Sequence, residues 1–266
     1  MSLIVTLTGM STSGKSTLAK ALTATGVYAE AVSVTTRAMR AGEENGKDYH
    51  FVDQATFDQY VSEGVLLEHV RSHHACYGVP SFEVERIKAR GQSVVMVLEP
   101  EGVSSINKIA LSKGENVMEA FVHAGMPLLI ERFFERIDLN IASGKPVNFD
   151  QEGKRLHVML SEERGWAGRF QWDLTLINLS EAGRLESVVS EFIDYHENSA
   201  RFKPIEKELK PAISIECASI DELSSLIKAQ VGKPLDSNGF AKMIQAPLIE
   251  SQARIRYKDG SPILDR

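Results

Sequence analysis

The stretch "LIVTLTGMSTSGKSTLAKAL", Leu3 to Leu22, passes from a β-prone apolar run through glycine, serine and threonine into a helix-forming run. Gly9 to Ser16 fits G-x-x-x-x-G-K-[ST] without a mismatch, and the strand before it and helix after it are the context that pattern requires. Such a loop turns backbone N–H groups inward on a phosphate chain, and the helix adds its positive N-terminal end. Lys15 would then reach the β- and γ-phosphates, and the Ser16 hydroxyl would ligate Mg²⁺. The bland reading, a chance glycine–serine turn, does not account for the flanks. The loop residues assigned to ATP are Gly9, Ser11, Thr12 and Ser13, followed by Gly14, Lys15, Ser16 and Thr17. A phosphate loop alone still serves ATPases, GTPase switches and kinases.

Outward from the loop, strand-like and helix-like segments alternate to about residue 197. "AVSVTT", "DYHFV", "VLLEHV", "SVVMVLE", "VMEAFVH" and "DLTLINL" read as strands. "DQATFDQYVSEG", with Asp53 as N-cap and Gly64 past its end, reads as a helix, as does "PLLIERFFERI", with Pro127 in its first turn. Alternation of this kind predicts a three-layer α/β domain on a parallel core sheet. From Asn198 the texture changes. "RFKPIEKELKPA" reads as a linker, "ISIEC" as a strand and "SIDELSSLIKAQVG" as a short helix. The domain is therefore set at 1–197 and a C-terminal extension at 198–266.

Composition is that of an ordinary soluble globular protein: 266 residues, 43% hydrophobic and 25% charged. The apolar runs are strand-sized, too short for a membrane helix, and the N-terminus lacks the marks of a signal peptide. Two cysteines cannot build a disulfide framework, so a reducing cytoplasm is expected. Net charge is -6, which argues against a protein that coats nucleic acid. Residues 198–266 carry 11 Lys+Arg against 9 Asp+Glu, a slight basic lean.

The acceptor is read from "SVTTRAMRAGEENGKDYHFV", Ser33 to Val52. Arg37 and Arg40 lie three apart in one loop, while Tyr49 and Tyr77 offer phenolic O–H groups; together they suit a dianionic phosphate. This run, with a serine, T-T-R, a second arginine, G-E and G-x-D-Y-x-F-V, resembles the guanylate kinase family of P-loop nucleoside monophosphate kinases. The resemblance covers Leu3 to about Glu197. It implies ATP as phosphate donor and Mg²⁺ as cofactor. Arg37, Arg40, Tyr49 and Tyr77 would hold the acceptor phosphate, with Ser33 and Glu68 on the base edge. A carboxylate accepting from guanine N1–H and N2–H₂ rejects purines that lack those donors, because they leave its charge unpaired.

Arg132 and Arg136 sit one helical turn apart in "ERFFER", and Arg155 follows in "KRLH". The family places arginines at such spacings on the segment that closes over ATP, where they clamp the transferring phosphoryl group. The polar, glycine-bearing segment at about 137–154 is expected to be that lid, and about 34–91 the monophosphate-binding insertion. Surface helices with i,i+4 charge pairs are the alternative for each arginine. Asn178 matches a family asparagine near the adenine.

Two departures from the family pattern stand out. In "VMVLEPEGV", Val97 replaces the first of two aspartates and Glu99 the second, leaving Ser16, Glu99 and the phosphates for Mg²⁺. Val79 and Pro80 stand where the family has a hydroxyl residue that helps read guanine, which opens the alternative of a modified purine nucleotide as acceptor. A base within DNA would call for a basic, aromatic tail, of which Arg254, Arg256, Tyr257 and Lys258 are a thin version. A tail for self-association or protein docking fits at least as well. Non-catalytic relatives of the fold lose the phosphate loop, which is intact here. His69, His73, His74 and Cys76 match no zinc spacing. The expected reaction moves the γ-phosphate of ATP to GMP or dGMP.

Overall fold

The computed structural model describes residues 2–39, 43–71, 75–178, 184–198, 209–210, 217–237, 239–240, 255–258 and 261–264. Its centre is a parallel sheet in the order β2 (Tyr28–Glu30), β7 (Ser93–Val97), β1 (Ile4–Thr8), β8 (Val117–His123) and β9 (Leu174–Ile177). β1 is buried throughout and pairs on both sides, Val5 opposite Val95 of β7 and Met118 of β8. Alternate side chains of a strand face opposite ways, and both faces here are apolar. Val5 and Leu7 pack on Leu18 and Leu22 of α1 (Lys15–Ala24) and on Val188 and Phe192 of α8 (Arg184–Asn198). Ile4, Val94 and Met96 point the other way, onto α3 (Ser81–Ala89) and α4 (Pro100–Lys113). The predicted three layers follow from that two-sided burial.

A second sheet, in the order β4 (His50–Phe51), β3 (Val34–Thr35), β6 (Cys76–Pro80) and β5 (Leu66–Arg71), occupies the expected insertion. Helix α2 (Gln54–Ser62) covers it, burying Phe57 among Val34, Leu66 and Cys76. The expected cap is present: the Asp53 carboxylate accepts from Thr56 N at 2.8 Å.

Several expectations change. "AVSVTT" pairs as a strand only at Val34–Thr35, because the chain leaves the insertion sheet there for the acceptor loop. β2 and α4 were not foreseen. Three residues give β2 too little period to read, and "PEGVSSINKIALSK" mixes polar residues into a helix buried along one face. The segment 137–154 is largely helical: α5 (Met126–Ala142) runs through its first third, and α6 (Phe149–Ser161) takes its end. Ile137 and Leu156 lie in a common core with Phe133 and Phe134, so apolar burial holds both ends of this polar segment in helices. Asn148 caps α6 by accepting from the N–H groups of Asp150 and Gln151. The short α7 (Trp166–Arg169) follows.

The C-terminal helix α9 (Ile220–Gln230) forms where predicted, with a capping box between Ser219 and Glu222. It joins the α5–α6 core through Leu223 and Ile227, both fully buried. Phe240 adds its ring edge-on to Phe134 at 4.9 Å. Strands β10 (Ile255–Lys258) and β11 (Ser261–Leu264) form an antiparallel hairpin. The predicted strand "ISIEC" lies outside the described residues except for Cys217.

Candidate active site

The phosphate loop leaves the C-terminal end of β1, the end at which open α/β sheets bind ligands. Gly9 has no room for a side chain: a Cβ would lie 2.3 Å from the Val122 carbonyl oxygen of β8. Gly14 stands at φ 98° at the start of α1, and a Cβ there would lie 2.3 Å from Asn178 Nδ2. Between them Thr12 holds φ 63°, a conformation unfavourable for a β-branched residue. Its Oγ1 donates to Leu129 O at 2.8 Å, tying the loop to the first turn of α5. The Ser13 hydroxyl is buried without a hydrogen-bond partner among the described residues.

Lys15 Nζ donates to Gly9 O at 2.5 Å and Met10 O at 2.8 Å. Burial pushes its ammonium below the usual range, and Glu163 and Glu99 oppose that shift. Ser16 and Thr17 are exposed in the first turn of α1. Asn178 donates to Ser13 O at 2.7 Å and Arg132 Nη1 to the same oxygen at 3.4 Å. Both predicted residues therefore meet at the loop. A loop whose glycines let it pack against Val122 and Asn178, with an ammonium bonded to two carbonyls and a buried hydroxyl that has no partner among the described residues, suits a polyphosphate; the exposed Ser16 Oγ suits its divalent ion.

Arg136 and Arg155 are brought together by a residue the sequence reading missed. Glu152 accepts from Arg136 at 2.8 Å and from Arg155 at 3.1 Å. Its i,i+3 spacing to Arg155 was a legible signal. Arg136 also lies over the Phe133 ring, and its Nε is buried without a partner among the described residues.

In the insertion, Arg37 is held bidentately by Glu43, at 2.8 and 2.9 Å, and lies over the Tyr49 and Phe51 rings. Tyr77 meets Tyr49 edge-on at 6.1 Å. Three of the four expected phosphate-binding residues thus form one cluster; Arg40 lies outside the described residues. Ser33 precedes β3, its carbonyl accepting from His50 N.

Glu68, on β5, is buried, and its carboxyl is pushed up to about 7 by burial and then by Glu99, with the Val79 N–H acting the other way. Space for it comes from Gly102 of α4, where a Cβ would lie 2.9 Å from Glu68 Oε2. Glu99, at the start of α4, is likewise raised to about 7, by partial withdrawal from water and by the Glu163, Glu101 and Glu162 carboxylates. Val97 pairs with Leu7 inside the sheet, and Val79 is fully buried. Of the histidine–cysteine group, Cys76 Sγ donates to Gln54, and His69 meets the Phe57 ring edge-on. His73 and His74 lie outside the described residues. Among the described residues no group of His, Cys, Asp and Glu is arranged to hold a metal ion, and no helix is long and apolar enough to cross a membrane.

A parallel three-layer sheet with a glycine loop at the carboxyl end of its central strand, an arginine-bearing helix pair and a small inserted sheet defines a P-loop α/β protein of the nucleotide kinase type. Comparison with known proteins narrows this. The profile of the guanylate kinase family matches residues 1–122. A guanylate kinase of Chlamydia pneumoniae is 32% identical over 180 residues, which span 65% of this chain and 78% of that one. A guanylate kinase of Rubrobacter xylanophilus is 38% identical over 106 residues, 40% of this chain and 56% of the relative. The chain belongs to the guanylate kinase family. The crystal structure of guanylate kinase from Anaplasma phagocytophilum shares the fold, with a TM-score of 0.51 at 23% identity, covering 77% of this chain and 90% of that one.

Proposed function

We propose that this chain transfers the γ-phosphate of ATP to GMP or dGMP, giving ADP and the diphosphate. The observation that carries this is the intact phosphate loop, with Lys15 at its mouth, in a chain that also holds the Arg37–Tyr49–Tyr77 cluster. Phosphoryl transfer asks a protein mainly for position and charge, and no covalent intermediate is needed. Lys15 draws the donor's terminal phosphates into the loop. Arg132 stands beside the loop already. Arg136 and Arg155, released from Glu152, add positive charge around the transferring group.

Arg37 exchanges Glu43 for the acceptor phosphate, as its fork suits both. Tyr49 and Tyr77 add O–H donors, Ser33 and Glu68 read the base, and Asn178 borders the donor nucleotide. Mg²⁺, held by Ser16 Oγ and the phosphates with Glu99 nearby, would neutralise charge building on the transferring oxygens. The insertion at 34–91 and the helix pair at 137–154 act as the closing parts. The chemistry is that of a cytoplasmic enzyme with free thiols at Cys76 and Cys217.

The test is a coupled ADP-release assay with ATP, Mg²⁺ and a panel of ribo- and deoxyribonucleoside monophosphates that includes modified purines. Turnover with GMP or dGMP alone is expected. No turnover with any member, while ATP still binds, would overturn the assignment. Lys15→Ala should remove turnover and leave the fold intact.

A further inference from the structure

The phosphate loop already holds a carboxyl group, which burial pushes above the usual carboxylate range while Ser11 and Lys15 draw it back. Glu163 lies in the 3-10 turn Glu163–Gly165 that follows α6, and its side chain is buried against the loop. Its Oε2 accepts from the backbone N–H of Ser11 at 2.5 Å, and its Oε1 from Ser11 Oγ at 2.8 Å. Ser11 is the third residue of the loop, 152 positions away in sequence, so no local pattern announces the contact. Lys15 lies within the field of the same carboxylate while its own donors go to Gly9 and Met10 carbonyls. A loop whose N–H groups point inward favours an anion, and here a side-chain carboxylate takes one of those groups.

We propose that Glu163 is an internal competitor for the phosphate loop, which a phosphate of the bound nucleotide must displace, and that it thereby sets the affinity for ATP. This rests on the reading of the loop as the ATP site. Two carboxylate oxygens and a terminal phosphate cannot share the Ser11 N–H, and a carboxylate left close to the phosphate would repel it. Displacement has a mechanical consequence. Glu163 follows the last turn of α6, the helix that carries Glu152 and Arg155. Freeing Glu163 therefore frees the end of that helix, and filling the loop is coupled to the arginines that must close over it.

Calorimetric titration without an acceptor separates this from catalysis. Glu163→Gln keeps the shape and an acceptor oxygen while removing the charge. It should bind ATP about tenfold tighter than the unsubstituted chain, the scale of a charged against a neutral acceptor, and bind adenosine with the same affinity. Equal or weaker ATP binding by the variant would overturn the proposal, as would a gain shared equally by adenosine. An unsubstituted chain that fails to bind ATP at all would instead remove the ATP site itself. The unsubstituted chain gives a second readout that does not depend on the variant folding. ATP, and not adenosine, should shift the carbon-13 resonance of the Glu163 carboxyl; no shift at saturating ATP would sink the idea.

Discussion

Glu68 carries two consequences of one shift. Its carboxyl, near 4.5 in an unfolded chain, stands at about 7 in the ligand-free fold. The fold therefore prefers the protonated form. That stability is fully present below about pH 4.5 and is lost as pH rises through 7, by at most on the order of 3 kcal/mol. A guanine edge, offering N–H donors, selects the opposite form. The KM for GMP should then fall up to about tenfold from pH 6 to pH 8, following the ionised fraction. Glu68→Gln should flatten both profiles. A pH-independent difference between the two proteins in KM and melting temperature would take Glu68 out of the base site. The residue types of the site were legible because each has a distinctive spacing around a short motif. The partners that park them were less so. Glu43 and Glu152 look like ordinary surface carboxylates, and Gly102 matters only because α4 crosses β5 at that position.

At the scale of elements, the seat of α9 on α6 is set by one glycine. A Cβ on Gly153 would lie 2.1 Å from Ser224 Oγ, 2.9 Å from Ile220 O and 3.0 Å from Ser224 N. Ser224 Oγ could rotate away, but the two backbone atoms can move only with the whole helix. Alanine in a helix interior is favoured over glycine by about 1 kcal/mol, whereas overpacking costs about 1–3 kcal/mol. The clash with backbone decides the sign. Gly153→Ala should lower the thermal midpoint, and adding Ser224→Ala should recover only part of the loss; a raised midpoint in the single variant would show that α9 is not seated there. Helix α6 was hidden in the sequence by its polar exposed face, since a lid loop and an amphipathic helix share that composition. Only the partner helix, some seventy residues later, reveals which face is apolar.

At the scale of the molecule, family resemblance and core do not end at the same place. The resemblance stops near residue 197, yet Leu223, Ile227 and Phe240 are buried in the core of the helices that bear Arg132, Arg136 and Arg155. Texture alone sets an end of alternation at Asn198. It could not show that the chain returns, because a contact between distant segments leaves no periodicity. Phe240→Ala, which opens a void beside Phe134, should destabilise the protein by about 3 kcal/mol, read as a shift in denaturant midpoint. An unchanged midpoint would place Phe240 outside the cooperative unit.

That return has a consequence for biosynthesis. While a ribosome is still making residues 198–240, the sheet, the phosphate loop and both arginine helices have been made, but Phe134, Leu156 and Met159 still await the side chains that complete their core. The nascent protein thus carries a sticky apolar face while these residues are being made, and a message truncated in that interval would yield a chain suited to chaperone capture and proteolysis. Making the segment through Phe240, more than making the phosphate loop, is what closes that core.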